Sequence, residues 1–196
     1  MNAFTSSDWT AYPFASMNRK DFDNLLSVYL DCVFFSKLDP LDFAQEGHRL
    51  EYAEMDNAES ELLYKGVVFN EMKGALSSPV SQVWEALYKH LYPTTTYHYN
   101  SGGDPEQITN LSYEGLKSFY KKHYHPSNAV FLTFGDIPAS EHQEKMHRMA
   151  LSRFTKKDQK IEIPDEQRYC APIRVQENYP IEKDETIANK THIEVG

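Results

Sequence analysis

Apolar positions recur along this chain at two rhythms, one helical and one alternating, and the changes between them mark its elements. Phe22, Leu25, Leu26, Tyr29, Leu30 and Val33 repeat with the helical period. Asn18 stands where an N-cap belongs, and Asp21 lies in the first turn, where the helix dipole favours an acid. Cys32 falls within this segment and reads as core filler. Asp39-Pro40 opens a second helix, aspartate capping and proline at the first helical position, running to about Arg49 with His48 in its last turn serving the dipole or solvent. Glu51 to Met55 reads as a strand, and Asp56 to Glu61 as an acidic, exposed lead-in to the next helix. In that helix Tyr64, Val67, Val68, Met72 and Ala75 share one arc, and Ser78-Pro79 ends or kinks it. Val83, Trp84, Leu87 and Leu91 then give one apolar face to a helix from about Val80 to Leu91.

Both ends and the second half follow the same logic. Asn2 to Thr5 and Trp9 to Ala15 form two short extended segments joined by the polar turn Ser6-Ser7-Asp8, a hairpin. Ser101 to Pro105 is a loop whose two glycines permit positive φ or close backbone approach. It is not a phosphate loop, because no Lys-Ser/Thr follows the glycines. Ser112 caps a helix with Leu116, Phe119 and Tyr120 inward, and Lys117, Lys121 and Lys122 form its solvated face. Ala129 to Phe134 is apolar on both sides and reads as a buried central strand. Ser140 to Phe154 is an amphipathic helix with Met146, Met149, Ala150 and Phe154 inward. From Thr155 to about Tyr179 the chain is charged and irregular, and Lys190 to Val195 alternates like the start of a strand.

One residue breaks the pattern. Glu71 falls inside the apolar arc of its helix. A carboxylate taken inward needs a cation, a donor or a metal, or else it is neutralised at a cost of several kcal/mol. At the level of the residue, an acid paired with arginine or leaning to water and an acid that holds a metal both stand. The histidines decide nothing by spacing: His90 with His98, His123 with His125, and His142 with His147 all lack a ligand pattern.

Composition narrows the class. The 196 residues are 40% hydrophobic and 13% aromatic, which excludes a disordered chain, and the mean hydropathy of −0.63 with no long apolar run excludes a membrane span by helix. A net charge of −9 and a pI near 5.3 argue against nucleic-acid binding and mildly favour basic peptides as partners. Cys32 and Cys170 lie far apart and suit reduced thiols in a cytoplasmic or organelle-matrix compartment. No signal peptide is legible in Met1 to Tyr12.

The stretch from Tyr64 to Gly74, Tyr-Lys-Gly-Val-Val-Phe-Asn-Glu-Met-Lys-Gly, resembles the distal metal-ligand helix of the pitrilysin/insulinase family of zinc metallopeptidases, and most of all its presequence-protease branch. Asn2-Ala3-Phe4-Thr5, Ser101 to Pro105 and Tyr124 to Ala129 support the likeness in the family's order. The resemblance implies that Glu71 is a zinc ligand. It also implies that Asn2, Ala3 and Phe4 lie on an edge strand where a peptide substrate adds as another strand. The family's other two ligands and its catalytic base come from an inverted His-x-x-Glu-His helix, and neither that motif nor His-Glu-x-x-His occurs in this chain.

The implied fold is α+β, an antiparallel sheet with helices packed mainly on one face, lacking its N-terminal strands and metal helix. Residues 1–154 are expected to be the C-terminal portion of the first peptidase domain, 155–186 a linker and 187–196 the start of a severed second domain, with Met1 an internal methionine. The implied function is that of a fragment of a zinc-dependent endopeptidase that degrades short unfolded peptides with metal-activated water. Zinc belongs to the complete parent, and this chain alone is expected to be inactive and without tightly bound metal. An uncovered sheet edge or apolar face would favour a homodimer. The alternative is a non-catalytic interaction or structural module of the same fold. An inward Glu71 argues against that alternative, and the same side chain facing open water, or neutralised by a guanidinium in a complete sheet, would overturn the peptidase reading.

Overall fold

The computed structural model describes residues 2–158 and 161–196; Met1 and part of the expected linker, Gln159 and Lys160, lie outside the described residues. In chain order the elements are β1 (Phe4–Thr5), β2 (Thr10–Ala11), α1 (Arg19–Phe34), α2 (Pro40–Glu46), β3 (Arg49–Tyr52), β4 (Leu62–Lys65), α3 (Val67–Ala75), α4 (Pro79–Leu91), α5 (Pro105–Ile108), α6 (Tyr113–His123) and α7 (Ala139–Met149), with short 3-10 turns between some of them. The class is α+β. Its described strands make two small pairs, β1 with β2 and β3 with β4, instead of one broad sheet.

Two units divide the chain. The first comprises Met1–Phe4, Thr10–Pro40 and Leu111–Glu162. Its longest helix, α1, begins at the expected cap: Asn18 stays extended and its side-chain oxygen accepts from the Asp21 N–H at 3.1 Å. Leu26, Leu30 and Phe34 of α1 meet Met146 of α7 and the fully buried Ala150, and Phe14, Phe22, Val33, Met149 and Phe154 border this core. Tyrosine hydroxyls fasten α6 beside the end of α1. Tyr113 donates to the Leu38 carbonyl at 2.6 Å, and Tyr120 donates to the Val33 carbonyl at 2.7 Å while accepting from the Ser36 N–H at 3.1 Å. On the rim Lys145 reaches Asp23 at 2.6 Å and Glu141 at 2.9 Å, and it holds the Asp23 carboxyl below the usual carboxylate range.

Three expectations in this unit are corrected. Cys32 is exposed, because it sits about 240° round the helix from Leu26 and about 200° from Leu30, off the face that Leu26, Leu30 and Phe34 bury. Leu116 and Phe119 are exposed, and Tyr120 alone of the expected inner face of α6 turns toward protein. His142, whose burial the sequence had not addressed, is buried with its ring edge against Phe22 at 5.5 Å. Most plainly, Ala129 to Phe134 is neither strand nor buried. A strand exists only by pairing, and no described strand lies beside this one.

The second unit comprises Thr5–Trp9, Leu41–Asn110 and Ile163–Gly196. In its hairpin Arg49 stands opposite Lys65, Leu50 opposite Tyr64, Glu51 opposite Leu63 and Tyr52 opposite Leu62. Two cations face each other at one end, and Glu51 bridges them at 3.0 Å from Lys65 and 2.7 Å from Arg49. Those two cations hold its carboxyl low, Lys65 contributing most. Strand β4 occupies residues that the helical arc had claimed: Tyr64 pairs with Leu50 and α3 starts only at Val67. Helix α2 ends at Glu46, so His48 lies beyond it, between the rings of Phe43 and Tyr64. Pro79 opens α4 and the chain leaves helix at Tyr92, as the prolines require. Lys190 to Val195 forms no strand, again for want of a partner.

Candidate functional site

The candidate site starts at a glycine. Gly66 is the N-cap of α3 in extended backbone, and a Cβ there would lie 2.0 Å from the Gly47 carbonyl oxygen and 2.7 Å from its carbon. Only glycine lets the Gly47–His48 backbone leading into β3 approach the head of this helix so closely. The nine residues of α3 then bury one side chain, Met72. Its sulfur fills the space beside Gly102, where a Cβ would sit 2.3 Å from Sδ.

That contact gives the glycine loop a role the sequence did not assign. The Asn100 side-chain oxygen accepts from the Gly102 N–H at 2.8 Å and its amide donates to Glu85 at 2.6 Å. Gly103 follows at φ +97°, and Asp104 caps α5 by accepting from the Glu106 N–H at 2.9 Å. From the same segment Thr96 Oγ1 donates to the Ser7 carbonyl at 2.9 Å, Tyr97 to Asp8 at 2.9 Å and Ser101 to the Thr5 carbonyl at 3.2 Å. The acid raises the Tyr97 phenol's pKa. The loop is therefore a seat, with α3 resting on Met72 and the turn Thr5–Trp9 held by three side chains. Sequence reasoning missed α5, although Asp104-Pro105 carries the same cap-and-proline signal used for Asp39-Pro40.

Glu71 is exposed and makes no ion pair among the described residues. This corrects the expectation of an inward acid. The neighbouring arc of Val67 and Val68 is half-exposed as well, so that face of α3 meets solvent and Met72 meets protein. The physical argument from a buried carboxylate does not hold, and with it goes the argument that an unliganded Glu71 would be a liability. Among the described residues no three His, Cys, Asp or Glu side chains group as a metal site. One carboxylate does not fit zinc, which takes three or four protein ligands. No catalytic step follows for this chain by itself.

Asn2, Ala3 and Phe4 belong to the first unit and Glu71 to the second. All three N-terminal residues are exposed, and the Asn2 N–H donates to the Tyr29 hydroxyl at 2.9 Å. Phe4 opens β1, whereas Asn2 and Ala3, expected on the same edge strand, precede it outside any strand.

A further arrangement in the second unit was invisible in sequence. Glu166, in the irregular C-terminal segment, accepts from Thr94 N–H at 2.9 Å, Thr94 Oγ1 at 2.6 Å, Thr95 N–H at 3.1 Å and Thr95 Oγ1 at 3.2 Å. The Thr94 hydroxyl leads the donors that pull its carboxyl down to about 2. Tyr169 donates to the His90 carbonyl at 2.6 Å, and His90 Nε2 lies 2.8 Å from Glu177. The segment read as a linker is thus fastened to the end of α4.

Comparison with known proteins adds what geometry alone does not. The family described as "Peptidase M16 inactive domain" matches residues 110–196. "Presequence protease, mitochondrial" of Xenopus tropicalis is 49% identical over 172 residues, 88% of this chain and 17% of that protein. Its namesake in Mus musculus is 47% identical over the same share of each chain, and that in Schizosaccharomyces pombe is 48% identical over 141 residues, 72% of this chain and 14% of that protein. The chain thus spans about one sixth of the length of the curated relatives it matches. Identity at this level over most of the chain does not depend on the orientation of any one side chain. The chain belongs to the pitrilysin/insulinase (peptidase M16) family, in its presequence-protease branch.

Proposed function

We propose that this chain is a segment of a zinc-dependent endopeptidase that degrades short unfolded peptides, and that it contributes Glu71 as one metal ligand and Asn2, Ala3 and Phe4 as the edge on which a peptide adds as a strand. The observation that carries the reading is 49% identity over 88% of the chain to proteins named presequence protease. The exposure of Glu71 gives the ligand role no support of its own; the role rests on the motif around it, and an acid uncommitted to an ion pair among the described residues is compatible with it. Asn2, Ala3 and Phe4 are exposed and Phe4 opens β1, which suits strand addition, in which main-chain hydrogen bonds hold a peptide with little regard to its sequence. The 196-residue chain alone lacks the His-x-x-Glu-His histidines and base, is inactive, and binds no zinc tightly. The whole protein works in an organelle matrix, a reading supported by relatives named mitochondrial and by two unpaired cysteines. In isolation the chain self-associates through uncovered apolar surface.

The test is a chimera in which this chain replaces the matching segment of the Xenopus tropicalis protein. It is expected to hydrolyse a fluorogenic unfolded peptide and to carry zinc, and Glu71→Gln in the chimera is expected to lose most of the metal with the activity. A folded Glu71→Gln chimera that keeps full zinc occupancy and rate overturns the ligand assignment. A second reading, a non-catalytic interaction or structural module, gains from one observation: with Glu71 exposed, leaving it without a metal carries no desolvation penalty. A folded chimera that lacks activity at every zinc concentration would favour it.

A further inference from the structure

The turn that joins β1 to β2 has little apolar surface to hold it. Both strands are two residues long and exposed, and Trp9 in the turn is 54% exposed. A two-stranded hairpin without a core beneath it is marginal in water. Within the second unit the turn Thr5–Trp9 is tied by the Ser6 N–H, which donates to the Trp9 carbonyl at 2.9 Å, and by side chains of residues 96–101. Tyr97 reaches the Asp8 side chain, but Thr96 and Ser101 donate to the carbonyls of Ser7 and Thr5. Bonds to main-chain acceptors fix the path of the chain itself. The segment that supplies them is pinned in its turn: Asn100 holds it to Glu85 of α4, and Met72 of α3 packs beside Gly102. Adjacent residues of one loop, Ser101 and Gly102, therefore bear on the end of β1 and on the helix that carries Glu71.

We propose that Ser101 and Thr96 are positioning residues for the peptide substrate: they hold the β1–β2 turn, keep the end of the edge strand ordered at Thr5, and act on peptide affinity and not on the metal. The proposal rests on the peptidase reading above and divides the work of one loop. The Gly102 contact with Met72 serves the ligand helix, and the two hydroxyls serve the peptide edge. A peptide that adds as a strand is held through main-chain hydrogen bonds, so it binds where the edge is already extended. Its apparent affinity falls by the fraction of time the edge is so ordered. Because the hairpin is marginal, losing one neutral hydrogen bond changes that fraction roughly two- to tenfold. Neither hydroxyl touches α3, so the position of Glu71 does not depend on them.

The test introduces Ser101→Ala, Thr96→Val and the pair into the chimera described above. Each single change is expected to raise KM for the unfolded peptide roughly two- to tenfold, and the pair further, with kcat within about twofold and zinc content unaltered. Ser101→Thr and Thr96→Ser keep the hydroxyl and are expected to restore KM. Hydrogen exchange of the 196-residue chain gives a second readout that needs no activity. The Ser6 amide, bonded to Trp9, is expected to exchange faster in both hydroxyl-free variants while the α3 amides keep their protection. With an active parent chimera, an unmoved KM or unmoved Ser6 exchange in the pair overturns the proposal and leaves the peptidase reading standing. So does a KM that stays high in both hydroxyl-retaining variants, or a loss of kcat together with zinc. A parent chimera that neither binds nor cleaves the peptide overturns both.

Discussion

Helix α3 carries Glu71 but is anchored by a single buried residue, so Met72→Ala is the most direct test of what positions the candidate ligand. Nine residues fall short of the roughly 12–15 that sustain a helix alone in water, so α3 depends on its packing. Burying a methionine side chain is worth about 1.5–3 kcal/mol, and the cavity left by truncation raises methionine-to-alanine losses to about 2–5 kcal/mol. The floor of this cavity is the Asn100–Gly103 loop, pinned by the Asn100 bonds to Gly102 and Glu85, and it is poorly placed to collapse into the space. A loss near 3 kcal/mol follows. Urea denaturation monitored by tryptophan fluorescence reads it, since Trp9 and Trp84 both lie in the second unit. Hydrogen exchange of the α3 amides locates the change. In the chimera, Met72→Ala is expected to weaken zinc retention although Glu71 is untouched. A variant within about 0.5 kcal/mol of the parent, with unaltered α3 protection, would refute the single-anchor account.

Two other perturbations separate the units. Leu30→Ala removes the centre of the first unit's core, between Leu26, Phe34, Met146 and Ala150, and is expected to cost about 3 kcal/mol in urea denaturation followed by far-ultraviolet circular dichroism. Glu166→Ala should free the C-terminal segment, read as several-fold faster tryptic cleavage at Arg168 and Arg174 at neutral pH. The pH dependence of the same clasp has a definite sign. Its carboxyl titrates at about 2 in the folded chain, below the ordinary value of 4.5, so the contribution is complete above that ordinary value and disappears as pH falls toward 2. Thr94 and Thr95 amide chemical shifts should therefore titrate near 2; an inflection at 4.5 would mean that the clasp does not form in solution.

What was legible in the chain was what depends on near neighbours. Asn18 and Ser112 cap their helices through bonds three residues long, Asp39-Pro40 starts a helix, Ser78-Pro79 separates two, and the apolar period of α1 and α7 selects Leu26, Leu30, Met146 and Ala150 as core. The motifs around Glu71 were local too, and they pointed to the family that whole-chain identity then established. The orientation of Glu71 was not legible, because helical period gives a relative angle and only packing chooses which arc is covered. Met72 found Gly102 from a distant part of the chain and turned the carboxylate outward. Tyr64 shows the same limit: its spacing suited the helix, but a strand partner at Leu50 claimed it.

Sequence by itself determined the α+β class, the positions and caps of the main helices and the peptidase family, since each is written in residue type and short spacing. Tertiary structure alone decided that Cys32 is exposed, that His142 is buried, that Glu166 straps the C-terminal segment to Thr94 and Thr95, and that an apolar strand-like segment at 130–134 stays unpaired. The physical reason is that burial and strand pairing are properties of two surfaces, and a single stretch of chain specifies only one of them.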